Sequence, residues 1–460
     1  MSLIKSISGI RGTIGGKVND NLTPLDVVKF ASAFGTWLQN NKNKKDLTLV
    51  IGRDARISGQ MVSSLVASTL QGLGINVVDL GLSTTPTVEI MVPELKADGG
   101  IILTASHNPK QWNALKLLND KGEFISGENG ADVLTLAENE DFNYAEVDDL
   151  GRYETRDDAF DIHIKQILDL PTVDVEAIKS KKFKVVLDAV NSTGGISIPP
   201  LLEKLGVEVV KLYCEPNGQF PHNPEPLKEH LGDICELVIK EKADMGIVVD
   251  PDVDRLALVD EKGEMFGEEY TLVAVADYLL KDKKGVAISN LSSSRALRDV
   301  AKNLDSEYFA SAVGEVNVVN LMKEKNAVIG GEGNGGIIYP ELHYGRDSLV
   351  GIALFLTLLA KENKTVSELR ATYPSYFMGK KKIELTPGID VDALLIKVQE
   401  EYKNEEISTV DGVKIDFPEN WVHLRKSNTE PIIRIYTEAF SQEEADKLGD
   451  EMIAKIRSLI

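Results

Sequence analysis

Met245-Gly246-Ile247-Val248-Val249-Asp250-Pro251-Asp252-Val253-Asp254-Arg255 is an apolar, β-branched run that leads directly into an acidic turn. The run is typical of a buried strand, and the carboxyl end of such a strand is where an open α/β sheet places its ligands. Asp250, Asp252 and Asp254 stand at every second position, so an extended backbone would spread their carboxylates over roughly 13 Å of one face. The chain must therefore curl if these carboxylates are to bind one ion.

The acidic turn predicts a Mg²⁺ site. Carboxylate oxygens are the hard ligands that Mg²⁺ prefers, and Pro251 restricts the backbone around Asp250. An EF-hand calcium loop is excluded, because Arg255 stands where that loop needs glycine and both flanks have strand patterns rather than helix patterns. A solvated acidic turn is the remaining alternative.

Alternating strand and helix patterns extend through most of the chain and predict α/β units at 47–103, 184–250 and 285–330. After Pro374 the strands lie next to segregated helices, which indicates a small α+β domain. The predicted fold class is α/β, with three similar α/β domains of mixed, largely parallel sheets and a C-terminal α+β domain. The predicted domain boundaries are 1–150, 151–255, 256–372 and 373–460.

The composition excludes several classes of partner. The chain has 460 residues, with 72 acidic and 51 basic side chains and a net charge of −21, which disfavours nucleic acid and anionic membranes. The apolar stretch 349–359 is too short to span a bilayer and the N-terminus lacks a secretory pattern, so we expect a cytoplasmic protein. Cys214 and Cys235 are expected to be buried, inert thiols.

A second segment, Thr104-Ala105-Ser106-His107-Asn108-Pro109, follows the predicted strand 100–103. Ser106 on this Pro-terminated loop is a candidate phosphoryl carrier, and together with the acidic turn it indicates phosphoryl transfer. His107 is not expected to pair with Ser106, because neighbours in sequence usually point apart. A structural turn is the alternative if the loop is considered alone.

The segment Gly331-Glu332-Gly333-Asn334-Gly335-Gly336 matches the GxGxxG pattern of dinucleotide-binding proteins. However, the residues 337–340 that follow have a strand pattern ended by proline, whereas a pyrophosphate site requires a helix there. We therefore expect a flexible loop that offers Glu332 and Asn334 to sugar hydroxyls, with an ordinary Gly-rich turn as the alternative.

The segment Arg425-Lys426-Ser427-Asn428-Thr429-Glu430-Pro431, with Arg434 close behind, concentrates cations, hydroxyls and amides on an acidic protein. Such a mixture suits the acceptor oxygens of a phosphate dianion, and a surface turn is the alternative. Arg11, between Gly9 and Gly12, and Lys116, past the serine loop, are weaker candidates.

Together these segments resemble the α-D-phosphohexomutase superfamily over essentially the whole chain. The resemblance is carried by SGIRG at 8–12, TASHNP at 104–109, DPDVDR at 250–255, GEGNGG at 331–336 and RKSNTEP at 425–431. SGIRG, GRDARISG at 52–59 and VGEVNV at 313–318 are most similar to phosphoglucosamine mutases. FPHNP at 220–224 is more similar to the phosphomannomutase and phosphoglucomutase branch.

The resemblance implies four domains around a central cleft and assigns a role to each motif. Ser106 would be the phosphoserine, its oxygen and the three aspartates would bind Mg²⁺, and His107 and Arg255 would lie beside that phosphate. Many relatives have histidine where Gly336 stands, so Lys116 and Arg11 are expected near the reacting oxygen. Glu332 and Asn334 would hold the sugar hydroxyls. The non-reacting phosphate would be held by Arg425, Ser427, Asn428, Thr429 and Arg434.

The implied activity is the interconversion of hexose 6-phosphate and hexose 1-phosphate. A bound hexose 1,6-bisphosphate would be the intermediate, the activator and the phosphoryl donor, and glucosamine phosphate is the favoured substrate. The alternatives are phosphomannomutase/phosphoglucomutase, a Mg²⁺-dependent sugar phosphatase and a non-catalytic phosphosugar-binding module. The expected partner is a small phosphosugar, and a monomer and a homodimer both remain open.

Overall fold

The computed structural model describes residues 2–6, 9–42, 44–385, 389–426 and 432–459. They form two compact units. The first unit is Met1–Thr271 with Gly335–Leu369, and the second is Leu272–Asn334 with Arg370–Ile460.

The first unit begins with a seven-stranded sheet in the order β1-β2-β6-β5-β3-β4-β7. β3, β4, β5 and β7 pair in parallel, whereas β6, β2 and β1 are added antiparallel. The strands are β1 (Ile4–Ser6), β2 (Gly9–Thr13), β3 (Thr48–Arg53), β4 (Asn76–Leu82), β5 (Gly99–Leu103), β6 (Trp112–Leu118) and β7 (Tyr153–Thr155). The helices of this region are α1 (Pro24–Asn41), α2 (Gly59–Gly72), α3 (Thr85–Glu94), α4 (Gly127–Asn139), α5 (Ala159–Leu168) and α6 (Val175–Lys181).

The second sheet of this unit has the order β11-β10-β8-β9. β8, β9 and β10 are parallel and β11 is antiparallel to β10, so both sheets are mixed, as predicted. All of β10 is buried, in agreement with its continuous apolar sequence. The elements are β8 (Lys184–Asp188), α7 (Gly194–Lys204), β9 (Glu208–Leu212), α8 (Gly232–Glu241), β10 (Met245–Val249) and β11 (Leu256–Val259).

Three parallel strands in the order β13-β12-β14 form an α/β layer of the second unit. The elements here are α9 (Glu268–Asp282), β12 (Val286–Asn290), α10 (Ala296–Asn303), β13 (Glu307–Ser311), α11 (Glu315–Lys325) and β14 (Ile329–Glu332). The chain then returns to the first unit. There it forms β15 (Gly336–Ile338), α12 (Ser348–Glu362) and α13 (Val366–Arg370).

The C-terminal sheet of the second unit is entirely antiparallel, in the order β16-β20-β19-β18-β17. Apolar residues of the sheet and of two helices form one core cluster, which confirms the predicted α+β domain. The elements are β16 (Phe377–Glu384), α14 (Val391–Glu401), β17 (Glu406–Ser408), β18 (Val413–Asp416), β19 (Trp421–Lys426), β20 (Ile432–Ala439) and α15 (Gln442–Leu459).

Two expectations about composition can be compared with the fold. Across the described ranges, no helix combines the length and apolar character needed to cross a bilayer. Cys214 and Cys235 are half-buried rather than buried, since Cys214 follows the edge strand β9 and Cys235 lies on helix α8. Burial nevertheless raises the pKa of the Cys214 thiol to about 11, which keeps it protonated and unreactive.

Candidate active site

The acidic turn after β10 curls tightly. Val253 has a left-handed backbone with φ of 64°, and Asp250 Oδ1 accepts hydrogen bonds from the backbone N–H groups of Asp254 at 3.1 Å and Arg255 at 3.2 Å. One oxygen of each of the three aspartates therefore lies within 4.8 Å of the others. All three side chains are buried. The structure thus contains the curl that binding of a single ion requires.

Two cations and a hydroxyl contact these carboxylates. Lys116 Nζ lies 2.8 Å from Asp252 Oδ2 and 3.5 Å from Asp254 Oδ2. Arg346 Nη2 lies 2.6 Å from Asp254 Oδ2, and Thr85 Oγ1 donates to Asp252 Oδ2 at 2.6 Å. Arg346 and Thr85 had no motif that marked them in the sequence, because each comes from a distant segment.

The pKa values follow from burial and from these contacts. Burial, reinforced by Asp254 and Asp252, raises the pKa of Asp250 well above its usual range. Burial would also raise the pKa of Asp252, but the Lys116 ammonium outweighs burial and lowers it. The two carboxylates in turn overcome the burial of Lys116, whose pKa is raised, so Lys116 stays protonated.

The donor set fits a divalent cation. Asp252 Oδ1 and Asp254 Oδ1 are buried, and neither has a hydrogen-bond partner in the described part of the chain. An unsatisfied buried carboxylate oxygen is costly, and a hard cation is the ligand that would satisfy it. The fit therefore rests on these two oxygens together with the nearby carboxylate of Asp250.

Ser106 lies directly beside this cluster. The loop after β5 gives Ser106 a left-handed backbone with φ of 47°. Its Oγ donates to Asp250 Oδ2 at 2.8 Å, and its backbone N–H donates to Thr104 Oγ1 at 2.9 Å. Thr104 Oγ1 donates in turn to Asp54 Oδ2 at 2.7 Å. The serine and the aspartates, far apart in sequence, thus meet in one place.

Arg56 holds the serine loop through hydrogen bonds to its backbone carbonyls, a role that was not predicted from the sequence. Its buried guanidinium donates to the carbonyls of Ser106, Asn108 and Pro109, the last two at 2.7 Å. Its Nε donates to Asp54 Oδ2 at 2.9 Å. The sequence signal for this role is the segment GRDARISG, where Asp54 and Arg56 stand two residues apart.

His107 does not point away from Ser106, although neighbours in sequence usually do. His107 Nδ1 lies 3.2 Å from Ser106 Oγ, because the left-handed backbone at Ser106 turns the next residue back toward its side chain. Burial, with Arg255 and Arg346 nearby, lowers the pKa of His107 to about 2, so the imidazole is neutral. Arg255 Nη1 also lies 3.6 Å from Glu225 Oε1.

Arg11 and Lys116 occupy neighbouring strands of the first sheet. Arg11 on β2 is opposite Ala114 on β6, so Arg11 and Lys116 are diagonal neighbours on one face. Gly9 has φ of 132°, and a Cβ there would lie 2.2 Å from the carbonyl oxygen of Leu115, which explains why glycine precedes this arginine. Ser8 of the same motif lies outside the described residues.

The sugar-loop candidates lie in the second unit. Glu332 is the last residue of β14 and is buried, rather than part of the expected flexible loop. Its Oε1 accepts from Asn290 Nδ2 at 2.9 Å and from the backbone N–H of Gly314 at 3.2 Å, and these bonds hold it in place. Asn334 is half-buried in the turn that follows, and Gly336 begins β15.

The phosphate candidates lie on the C-terminal sheet. Arg425 on β19 is directly opposite Arg434 on β20, which is opposite Lys382 on β16. Like charges at directly opposed positions destabilise a sheet, so this row of cations favours an anionic ligand. Arg425 Nε also lies 2.8 Å from Asp411 Oδ2. The other candidates, Ser427, Asn428 and Thr429, lie outside the described residues.

Four family models match nearly the whole chain, all of them named phosphoglucomutase/phosphomannomutase. The α/β/α domains I, II and III match residues 4–144, 161–263 and 267–376, and the C-terminal domain matches residues 381–455. A crystal structure of a phosphoglucomutase/phosphomannomutase family protein from Burkholderia thailandensis shares the fold. Its TM-score is 0.86 at 24% identity, covering 99% of this chain and 97% of that one.

Two curated relatives are similar over nearly their full length. The phosphoglucomutase/phosphomannomutase of Thermococcus kodakarensis is 38% identical over 440 residues, covering 94% of this chain and 95% of the relative. The phosphoglucosamine/phosphogalactosamine mutase of Sulfurisphaera tokodaii is 33% identical over 459 residues, covering 98% of each. With the fold, the four domain models and these relatives in agreement, the chain belongs to the phosphoglucomutase/phosphomannomutase family of phosphohexomutases.

Proposed function

We propose that this protein interconverts hexose 6-phosphate and hexose 1-phosphate through a phosphorylated Ser106, with glucosamine 6-phosphate and glucosamine 1-phosphate as the preferred pair. The observation that carries the proposal is the 2.8 Å contact between Ser106 Oγ and Asp250 Oδ2 within a cluster of three buried aspartates. A hydroxyl held against a candidate cation site is the arrangement that phosphoryl transfer through serine requires.

The residues of the first unit would each have a distinct part in the transfer. Asp250 orients the Ser106 hydroxyl, and Arg56 fixes the loop that carries it. Lys116, held as an ammonium, would donate a hydrogen bond to a phosphoryl oxygen, with Arg11 on the same face of the sheet. Asp250, Asp252 and Asp254 would hold Mg²⁺ together with an oxygen of the phosphoserine, and the ion would supply positive charge against the phosphoryl oxygens.

The candidates of the second unit are proposed to bind the phosphosugar. Glu332 and Asn334 would accept hydrogen bonds from sugar hydroxyls, and Arg425 and Arg434 would bind the phosphate that is not reacting. Ser427, Asn428 and Thr429 are proposed for the same phosphate on the strength of their motif. Hexose 1,6-bisphosphate would be both the bound intermediate and the activator that restores phosphate to Ser106.

The preference for glucosamine phosphate is supported by SGIRG, GRDARISG and VGEVNV, whereas FPHNP favours the phosphomannomutase/phosphoglucomutase alternative. The relatives carry both kinds of name. We also propose domain boundaries at 1–150, 151–255, 256–372 and 373–460, a cytoplasmic location, and a monomer or homodimer as the assembly.

The test is a product analysis with Mg²⁺ and a trace of bisphosphate. Glucosamine, glucose and mannose 6-phosphates are supplied in turn, and sugar 1-phosphate and free phosphate are both measured. The expected result is sugar 1-phosphate in excess of free phosphate, with the highest kcat/KM on glucosamine 6-phosphate. Free phosphate as the main product would favour a phosphatase, and a higher kcat/KM on glucose or mannose phosphate would reassign the substrate.

A further inference from the structure

Asp411 connects two groups of the second unit that are proposed to bind different parts of the substrate. It lies in the turn between β17 and β18. Its Oδ2 accepts a hydrogen bond from the backbone N–H of Val313 at 3.0 Å and lies 2.8 Å from Nε of Arg425. Because a single carboxylate oxygen serves both contacts, the guanidinium of Arg425 is held relative to the loop that contains Val313.

The next residue of that loop, Gly314, contacts a different carboxylate, that of Glu332. The backbone N–H of Gly314 donates to Glu332 Oε1 at 3.2 Å. Gly314 has φ of 114°, a conformation that glycine adopts readily and other residues rarely do. Two successive amides therefore point to Asp411 and Glu332, and they link the proposed phosphate-binding arginine to the proposed sugar-binding glutamate.

A second chain of hydrogen bonds holds the backbone of Asp411. The buried His423 contacts the Asp411 carbonyl through Nε2 at 2.6 Å, and its Nδ1 lies 2.9 Å from Ser292 Oγ. Because a carbonyl only accepts, Nε2 carries the proton and Nδ1 accepts from the serine. The backbone N–H of Ser292 donates to Asn290 Oδ1 at 3.0 Å, and Asn290 Nδ2 donates to Glu332 at 2.9 Å. Both paths thus end at the same glutamate.

We infer that Asp411 is a positioning residue that fixes the guanidinium of Arg425 at a set distance from Glu332. This inference rests on the proposed function, since the roles of Arg425 and Glu332 are assigned there. A guanidinium restrained before the ligand arrives loses less side-chain entropy on binding. Asp411 would therefore raise the affinity for hexose phosphates without touching the reacting atoms.

The variant Asp411→Asn tests this inference. Its amide oxygen can still accept from Val313, but the negative charge that holds Arg425 is gone. We expect KM for the sugar phosphate to rise about 10-fold with kcat changed by less than about 3-fold, the pattern of an interaction made equally in ground and transition states. The fraction of Ser106 that carries phosphate, read by intact mass, should stay at the wild-type level.

Asp392→Asn is the matched control. Asp392 Oδ2 lies 2.8 Å from Nζ of Lys426, the residue after Arg425, but this pair is exposed to solvent. We expect its KM to stay within about 2-fold of wild type, since exposed ion pairs contribute little. An equal rise in KM for both variants would overturn the positioning role and indicate a general effect of net charge.

A double-mutant cycle with Arg425→Ala decides whether Asp411 acts through Arg425. In the Arg425→Ala background, Asp411→Asn should change KM by less than about 2-fold, because the group it positions is absent. If the two substitutions instead raise KM by independent factors that multiply, Asp411 does not act through Arg425 and the inference is refuted.

A wild-type enzyme that forms no sugar 1-phosphate would instead refute the proposed function. In that case calorimetric binding of glucosamine 6-phosphate decides the role of Asp411. The same 10-fold loss of affinity in Asp411→Asn would support the inference, and unchanged binding would refute it.

Discussion

The buried carboxylates of the first unit and the row of cations on the C-terminal sheet differ in burial and in how their charge is compensated. Asp250, Asp252 and Asp254 are all 0% exposed, and the cations Lys116 and Arg346 compensate their charge. Arg434, by contrast, is exposed to solvent between two other cations of the same sheet. Burial of the three carboxylates costs free energy of folding, whereas the charge of the cationic row is compensated by solvent and by a bound ligand.

This difference predicts where substitutions act. Changes in the first unit should alter stability and the chemical step together, because its charges are desolvated and the energy of each depends on the others. Changes on the cationic row should alter affinity and salt dependence while leaving the fold nearly intact.

Ser106→Ala should reduce mutase turnover by at least about 10³-fold, since no other hydroxyl would replace the phosphoryl carrier. Intact-mass measurement should show one added phosphate on part of the wild-type protein and none on the variant. Ser64→Ala, on the exposed face of α2, is the control and should keep both activity and phosphate. Full turnover by Ser106→Ala would refute the assignment of this serine.

Arg56→Met should destabilise the protein by about 3–5 kcal/mol, because Asp54 is left buried without its cation. Urea unfolding measures the change. Arg53→Met, in the same segment but with a half-buried side chain, should cost clearly less.

Adding Asp54→Asn to Arg56→Met separates the two roles of the arginine. The second substitution should recover part of the lost stability, since it removes the stranded charge. It should not recover turnover, because the carbonyls of the serine loop still lack their donor. Recovery of both would mean that Arg56 serves only to neutralise Asp54.

The sequence alone predicted the alternating architecture, and it singled out Ser106 and the three aspartates that the structure brings together. Local patterns carry that information: strand runs ending in polar turns, and carboxylates in close succession. Arg346 and Thr85 could not be found in this way, because their roles depend on contacts between distant segments, whereas Arg56 had a local signal in its spacing from Asp54. The position of His107 depended on one left-handed residue, and sequence patterns do not predict such a backbone for serine.

Asp250→Asn should make the metal-free protein more stable at neutral pH while abolishing turnover. The pKa of Asp250 is raised in the folded state, so the folded protein binds this proton more tightly than the unfolded chain does. The stability of the wild type therefore falls as pH rises above about 4, by about 1.4 kcal/mol per pH unit, and levels off at a lower value above the folded pKa. The variant should lack this fall.

Urea unfolding in EDTA between pH 4 and pH 8 measures this difference. Asp132→Asn, on the exposed surface of α4, is the control and should follow the wild-type pH profile. Added Mg²⁺ should then stabilise the wild type more than Asp250→Asn. A variant less stable than wild type at pH 7 without metal would show that the buried charge is not a cost to folding.

Arg434→Ala should have the smallest effect, and it should raise the stability of the fold while weakening the binding of the sugar phosphate. Removing the central cation of the row relieves repulsion with Arg425 and Lys382, so stability should rise by a few tenths of a kcal/mol, within the roughly 0.2–1 kcal/mol range of cross-strand pairs. KM for the sugar phosphate should rise about 3- to 10-fold, and less so at high salt, where exposed charges are screened. Arg457→Ala on α15 is the control, because it removes an exposed arginine of the same domain, and it should change neither stability nor KM. An equal response from both variants would show that the row of cations has no specific role in phosphate binding.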